Sequence, residues 1–175
     1  MQPSVSQALA EHAISVEVLI LCEVQMKLAD VQALASSECC PALRKLCLYH
    51  IRESDDEVEQ KNAVPHFEAA LAAVVEFHKD TLEKVSIDHH LQFGSNFFRA
   101  CKSLGSQIQI IHASAAEDLD IDIIDDLYRS HPRLVPDRIL ARKSALWEEE
   151  WEPRMRRLQE PMLMEACQEE VNLGL

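Results

Sequence analysis

Cys40, Cys47 and His50 are the residues of this sequence whose types and spacing come nearest to a metal site. Thiolate and imidazole are the ligands zinc prefers. Intervals of seven and three residues place all three on one face of a helix beginning at Cys40. A closed site needs a fourth ligand, for which Cys22, His78 and Cys101 are the candidates. No CxxC pair supplies one. Leu43 and Leu46 lie on or beside the same face, so a core stripe in which cysteine packs as a small hydrophobe explains the pattern more simply.

Other chemistry finds less support. Eight histidines invite comparison with di-iron bundles, but these need Glu-x-x-His on two helices, and the sequence contains none. His78 lies on an apolar stripe, where a hydrogen-bonded core role is the expectation. Asp118, Asp120 and Asp122 alternate as in a calcium loop, yet Ile123 and Arg129 stand where that loop requires Gly and Glu. Read as a helix, Asp118, Asp122 and either Asp125 or Asp126 share a face that could hold magnesium. A second acidic motif would then be needed, and Asp55, Asp56 and Glu59 could serve only by accident of packing; a solvated acidic cap is the plainer reading. GxSxG, P-loop and HExxH motifs are absent, and three glycines cannot build a phosphate-cradling loop. The expectation is a non-enzymatic protein.

The C-terminal third carries the best functional lead. Trp147, Trp151, Met155, Leu158 and Met162 follow one another at helical spacing, and both tryptophans and three of the five methionines lie here. Arg133, Arg138, Arg142, Lys143, Arg154, Arg156 and Arg157 surround them, a basic cluster in an acidic chain. Trp, Met and Arg are enriched in interface cores. The reading is a protein–protein interaction module, an adaptor or regulatory subunit. It binds its partner through Trp147, Trp151, Met155, Leu158, Met162, Arg154 and Arg157. A metal-binding bundle using zinc at Cys40, Cys47 and His50 is the alternative.

These residues need elements to position them. The run from Ser4 to Ser36 lacks Gly and Pro and reads as one long helix, with a stripe of Leu9, Ala13, Val16, Ile20, Val24, Val31 and Leu34. Its second apolar side suits burial in a bundle or a homodimer seam. Glu17, Glu23, Lys27 and Asp30 interrupt it too often for a membrane span. Further helices are expected from Pro41 to about Glu53, from Pro65 with the stripe Phe67, Leu71, Val74, His78 and Leu82, across 88–116, and from Pro136 to about Trp151. No internal repeat period is evident. With three glycines in 175 residues, the chain has fewer turn residues than a sheet-rich fold needs. The fold expected is all-α: a single domain over 1–175, a bundle of five to seven helices around the N-terminal one. Residues 136–175 are expected to close the bundle, or to form a separate helical hairpin or a partner-binding extension.

Thirty acidic residues against seventeen basic ones give a net charge of −13, which opposes attraction to nucleic acid or anionic lipid. Six cysteines without a secretory signal point to a reducing, intracellular and cytoplasmic setting.

Overall fold

The structure, a computed structural model, describes residues 16–23, 26–36, 40–49, 57–87 and 91–159, with side chains of the long helix from 65 onward. In chain order the elements are β1 (Val18–Cys22), α1 (Leu28–Ala33), β2 (Lys45–Tyr49), α2 (Glu57–Phe77), β3 (Lys84–Ile87), β4 (Gln92–Phe93), α3 (Ser95–Lys102), β5 (Ile110–His112), β6 (Ser114–Ala115), α4 (Ile121–Ser130) and α5 (Arg138–Ala141). A π-turn at Trp147–Trp151 follows and runs on as helix to 159. The fold is mixed α/β, not the all-α bundle expected from composition. Four strands form a parallel sheet in the order β1-β2-β3-β5, and β4 pairs with β6 in a second, two-stranded sheet.

The correction has a physical cause. The strand VLILC is an unbroken apolar run, because the residues of its open face, Val18 and Ile20, are apolar as well as the buried Leu19, so the sequence shows no two-residue alternation. Such runs cannot be told from buried helix by periodicity. The expected helix over 4–36 is therefore, where described, strand VLILC, a loop and the short α1. Residues 1–15 lie outside the described part. The helix expected after Pro41 is β2, and the one expected over 88–116 breaks into β4, α3, β5 and β6. The helix expected to open at Pro65 begins at Glu57, with Pro65 inside it. The segment expected to be helical from Pro136 to Trp151 holds only the four-residue α5 before the π-turn. Scarce glycine misled for a related reason: parallel strands are joined by helical crossovers, which need no tight hairpin turns.

A repeat underlies the sheet. Val16, Leu19 and Leu21 are spaced L-x-x-L-x-L, and so are Leu43, Leu46 and Leu48, then Leu82, Val85 and Ile87, then Ile108, Ile111 and Ala113. The middle positions of successive units stand side by side in the sheet, Leu19 with Leu46, Leu46 with Val85, and Val85 with Ile111. From Leu43 onward every one of these residues is buried; Val16 and Leu21 pack at the margin of the core. The first position of each unit lies in the loop before its strand, so its three-residue interval is not a helical one.

Sheet order fixes which side is covered. Crossovers between parallel strands are almost always right-handed. When each advances in the same direction, every crossover helix falls on one face. Here α1 packs on α2, α2 on α3 and α3 on α4, in sequence. The helix-facing strand residues, including Leu19, Leu46, Leu48, Val85, Ile87 and Ile111, are buried. Local caps support the layer. Asp120 accepts from the Asp122 amide at 3.1 Å to start α4. Glu68 on α2 accepts from the Phe97 amide at 3.2 Å, standing in for the side chain that Gly94, the residue before α3, lacks. After α4 the chain returns to the sheet at Val135, which bridges Ile110 in parallel and donates its amide to the Gln109 carbonyl at 2.8 Å.

Candidate functional site

The face turned away from the crossover helices is built in rows. Register sets Val18, Lys45, Lys84 and Ile110 side by side, then Ile20, Cys47, Ser86 and His112, then Cys22 and Tyr49. Cys47 and Ser86, in the middle, are buried, and the Ser86 and Tyr49 hydroxyls share a hydrogen bond of 3.0 Å. The β1 end differs. Val18 is 49% and Ile20 60% exposed, large apolar side chains placed in water on an edge strand. The two make a small apolar strip at the β1 end of the face.

The β5 end holds a pocket of about 570 Å³ between the sheet and the returning segment. Ile110, Val135 and Pro136 give it apolar walls, and Lys84, His112 and Arg138 line it with nitrogen. His112 is fixed in place: its Nδ1 donates to Oδ2 of Asp137. Asp137 is pinned in turn, because its Oδ1 accepts from the amides of Ile139 (2.8 Å) and Leu140 (3.0 Å). Its own amide donates to the buried Tyr128 hydroxyl at 2.9 Å. Desolvation pushes the Tyr128 phenol well above its ordinary pKa, which keeps it neutral. Each imidazole nitrogen has one bonding direction, so a carboxylate on Nδ1 leaves Nε2 for other partners. Arg44, Lys79, Lys102, Arg129 and Arg156 each form an ion pair. Lys84 and Arg138 have no ion-pair partner among the described residues.

The residues singled out in the sequence fall elsewhere. Cys40 lies in the turn before β2 with a positive φ of 52°, and Cys47 points into the second face from the middle of β2. The shared helical face proposed for them with His50 does not exist, because 45–49 is strand; His50 itself lies outside the described residues. Among the described residues no group of three or more His, Cys, Asp or Glu side chains is placed to hold a metal ion. Of the suggested fourth ligands, Cys22 is exposed and Cys101 is buried, its thiol pushed up in pKa by desolvation. His78 is a satisfied core histidine, with Nε2 donating to the Leu34 carbonyl at 2.8 Å. The acidic stretch is used locally: Asp120 caps α4, and Asp126 pairs with Lys102 at 2.8 Å.

Of the C-terminal group, Trp151 and Arg154 are engaged in the fold. Trp151 is 3% exposed, packs against Tyr128 with ring centroids 5.5 Å apart, and donates its indole N–H to buried Asp125 at 2.9 Å. Arg154 lies over the Trp151 ring and donates to the carbonyls of Tyr128, His131 and Leu134. Its desolvation lowers the guanidinium pKa. Trp147, Met155 and Leu158 are half-buried, Arg157 is exposed, and Met162 lies outside the described residues.

Comparison with known protein families, curated proteins and solved structures finds no match. Among the described residues no helix is long and apolar enough to cross a membrane. Lys84, Ser86, His112 and Asp137 escaped the sequence reading. The L-x-x-L-x-L spacing was the one signal that could have aligned three of them.

Proposed function

We propose that this chain is a protein-interaction module whose partner binds on the face of the parallel sheet opposite the crossover helices. The observation that carries the reading is the exposure of Val18 and Ile20 on that face, Val18 in one row with Lys45 and Lys84. The L-x-x-L-x-L spacing is the first half of the pattern of leucine-rich repeats, which line one side of a solenoid with parallel strands; the Asn or Cys that follows in that pattern is Val24, Ile51, His90 and Ala116 here. Stacked repeats of this type use the strand-lined side as an extended binding surface. The partner is a protein presenting apolar and acidic groups. The first suit Val18 and Ile20, and the second suit lysines that stand out in a chain of net charge −13. Trp151 and Arg154 support this surface indirectly, by holding the segment that returns to β5.

The test is a pair of charge substitutions on opposite sides of the layer. Ile20→Lys removes the stoichiometric partner from affinity-purified protein, and Phe77→Lys, at an exposed position of α2, leaves it bound. Equal retention by both variants contradicts the reading.

A further inference from the structure

We infer that the pocket at the β5 end of this face binds an acidic side chain of the partner, a carboxylate or a phosphate carried on an apolar stem. The inference rests on the proposed interaction face and names the chemistry recognised at one end of it.

Three observations converge. Lys84 from β3, His112 from β5 and Arg138 from α5 meet around one cavity, although they come from separate elements. Lys84 and Arg138 lack an ion-pair partner among the described residues. What distinguishes Lys84 and Arg138 from the other unpaired basic residues is that they line one cavity together. The one carboxylate lining the pocket, Asp137, has its oxygens occupied by two amides and by His112.

That arrangement suits an incoming anion. Asp137 orients the imidazole instead of neutralising Lys84 or Arg138. A ring that carries both protons offers Nε2 as a further donor. The guanidinium of Arg138 can grip a planar carboxylate or a phosphate with two parallel hydrogen bonds, and Lys84 adds a point charge. Ile110, Val135 and Pro136 give the methylene stem of the acidic residue an apolar wall. The pocket exceeds the volume of a single acidic side chain, so the peptide flanking that residue enters with it.

The test titrates the full chain with three small probes: N-acetylglutamate methylamide, N-acetylphosphoserine methylamide and the neutral N-acetylglutamine methylamide. NMR signals of the His112 ring and the Arg138 side chain report binding. Saturable shifts with a charged probe and none with the glutamine probe are expected, and the tighter of the two charged probes identifies the anion. Lys84→Gln with Arg138→Gln weakens binding about tenfold or more, the scale of a lost charge-assisted contact. Arg138→Lys, which keeps the charge, retains part of it. Equal shifts with all three probes, no shifts at all, or an unchanged affinity in the double variant would overturn the inference. None of these outcomes depends on Ile20, so failure here is distinct from failure of the interaction face itself.

Discussion

The indole of Trp151 donates to the carboxylate of Asp125, a bond of 2.9 Å between two buried groups that ties the π-turn to α4. Through it the C-terminal segment is tied to α4, whose Tyr128 hydroxyl accepts from the amide of Asp137. Trp151→Phe keeps most of the ring's packing but leaves Asp125 without this donor. A buried acceptor stripped of its partner costs about 1–3 kcal/mol. Trp151→Ala adds a cavity, with a total of about 3–5 kcal/mol. Urea denaturation monitored by circular dichroism checks both. Equal losses for the two variants would mean that the bond, not the packing, dominates.

Arg154 makes a second tie by donating to three carbonyls near the end of α4 and in the loop beyond it. A lysine ammonium cannot reproduce that planar fork. Arg154→Lys is expected to destabilise the fold by about 1.5–3 kcal/mol, the range for hydrogen bonds to a charged group. It should also raise amide exchange at Val135, whose hydrogen bond to Gln109 closes the sheet edge. Unchanged exchange there would separate Arg154 from the pocket.

Exposure and burial alternate at β1, and stability should follow them. Ile20→Lys places charge where the side chain is already 60% exposed and shifts stability by no more than about 0.5 kcal/mol. Leu46→Ala, on the helix side of β2, empties a fully buried site and costs about 2–5 kcal/mol. Chemical denaturation of the two variants side by side decides the matter. A large loss for Ile20→Lys would mean that the second face is covered.

His78 makes stability depend on pH. Desolvation lowers its pKa from the ordinary 6.5, and the bond to the Leu34 carbonyl opposes part of that shift. Below this value the unfolded chain takes up a proton that the folded chain resists. Stability therefore falls as pH drops through 6.5 and levels off once the folded-state value is passed. His78→Gln keeps a donor for Leu34 without the titration. Its urea midpoint should drop less than that of the parent between about pH 7.5 and about pH 5.5. Equal drops would exclude His78 as the source.

The legible parts of this fold were those with helical periodicity. Phe67, Leu71, Val74, His78 and Leu82 form a stripe in the sequence, and all five are buried, four on or just beyond α2 and Leu82 in the loop that follows. Leu43 and Leu46 show the opposite case. Their three-residue interval imitates a helix, but Leu43 belongs to the loop and Leu46 to a strand in which the neighbouring Cys47 is buried as well, which hides the two-residue alternation. The repeat stayed hidden because its units are unequally spaced, α2 forming a long insertion between β2 and β3, and because Val, Ile and Ala replace Leu in them. The candidate site was hidden for the same reason. Ile20, Cys47, Ser86 and His112 become neighbours only through strand register, which no local spacing encodes. Trp151 and Arg154 drew attention as interface-type residues, and those same properties, a large apolar area and a fork of donors, serve equally well inside a fold.

The central claim is that the sheet face bearing Ile20 meets a protein partner. A photo-crosslinking amino acid placed at Ile20 in the full chain, with the same group at Phe77 as control, tests it most directly. One dominant crosslinked partner is expected from position 20, attached at an apolar segment with acidic residues nearby, and none shared with position 77. A product with twice the mass of the chain would identify a second copy as the occupant in place of a different protein. No crosslink from position 20, or the same diffuse set from both positions, would contradict the account.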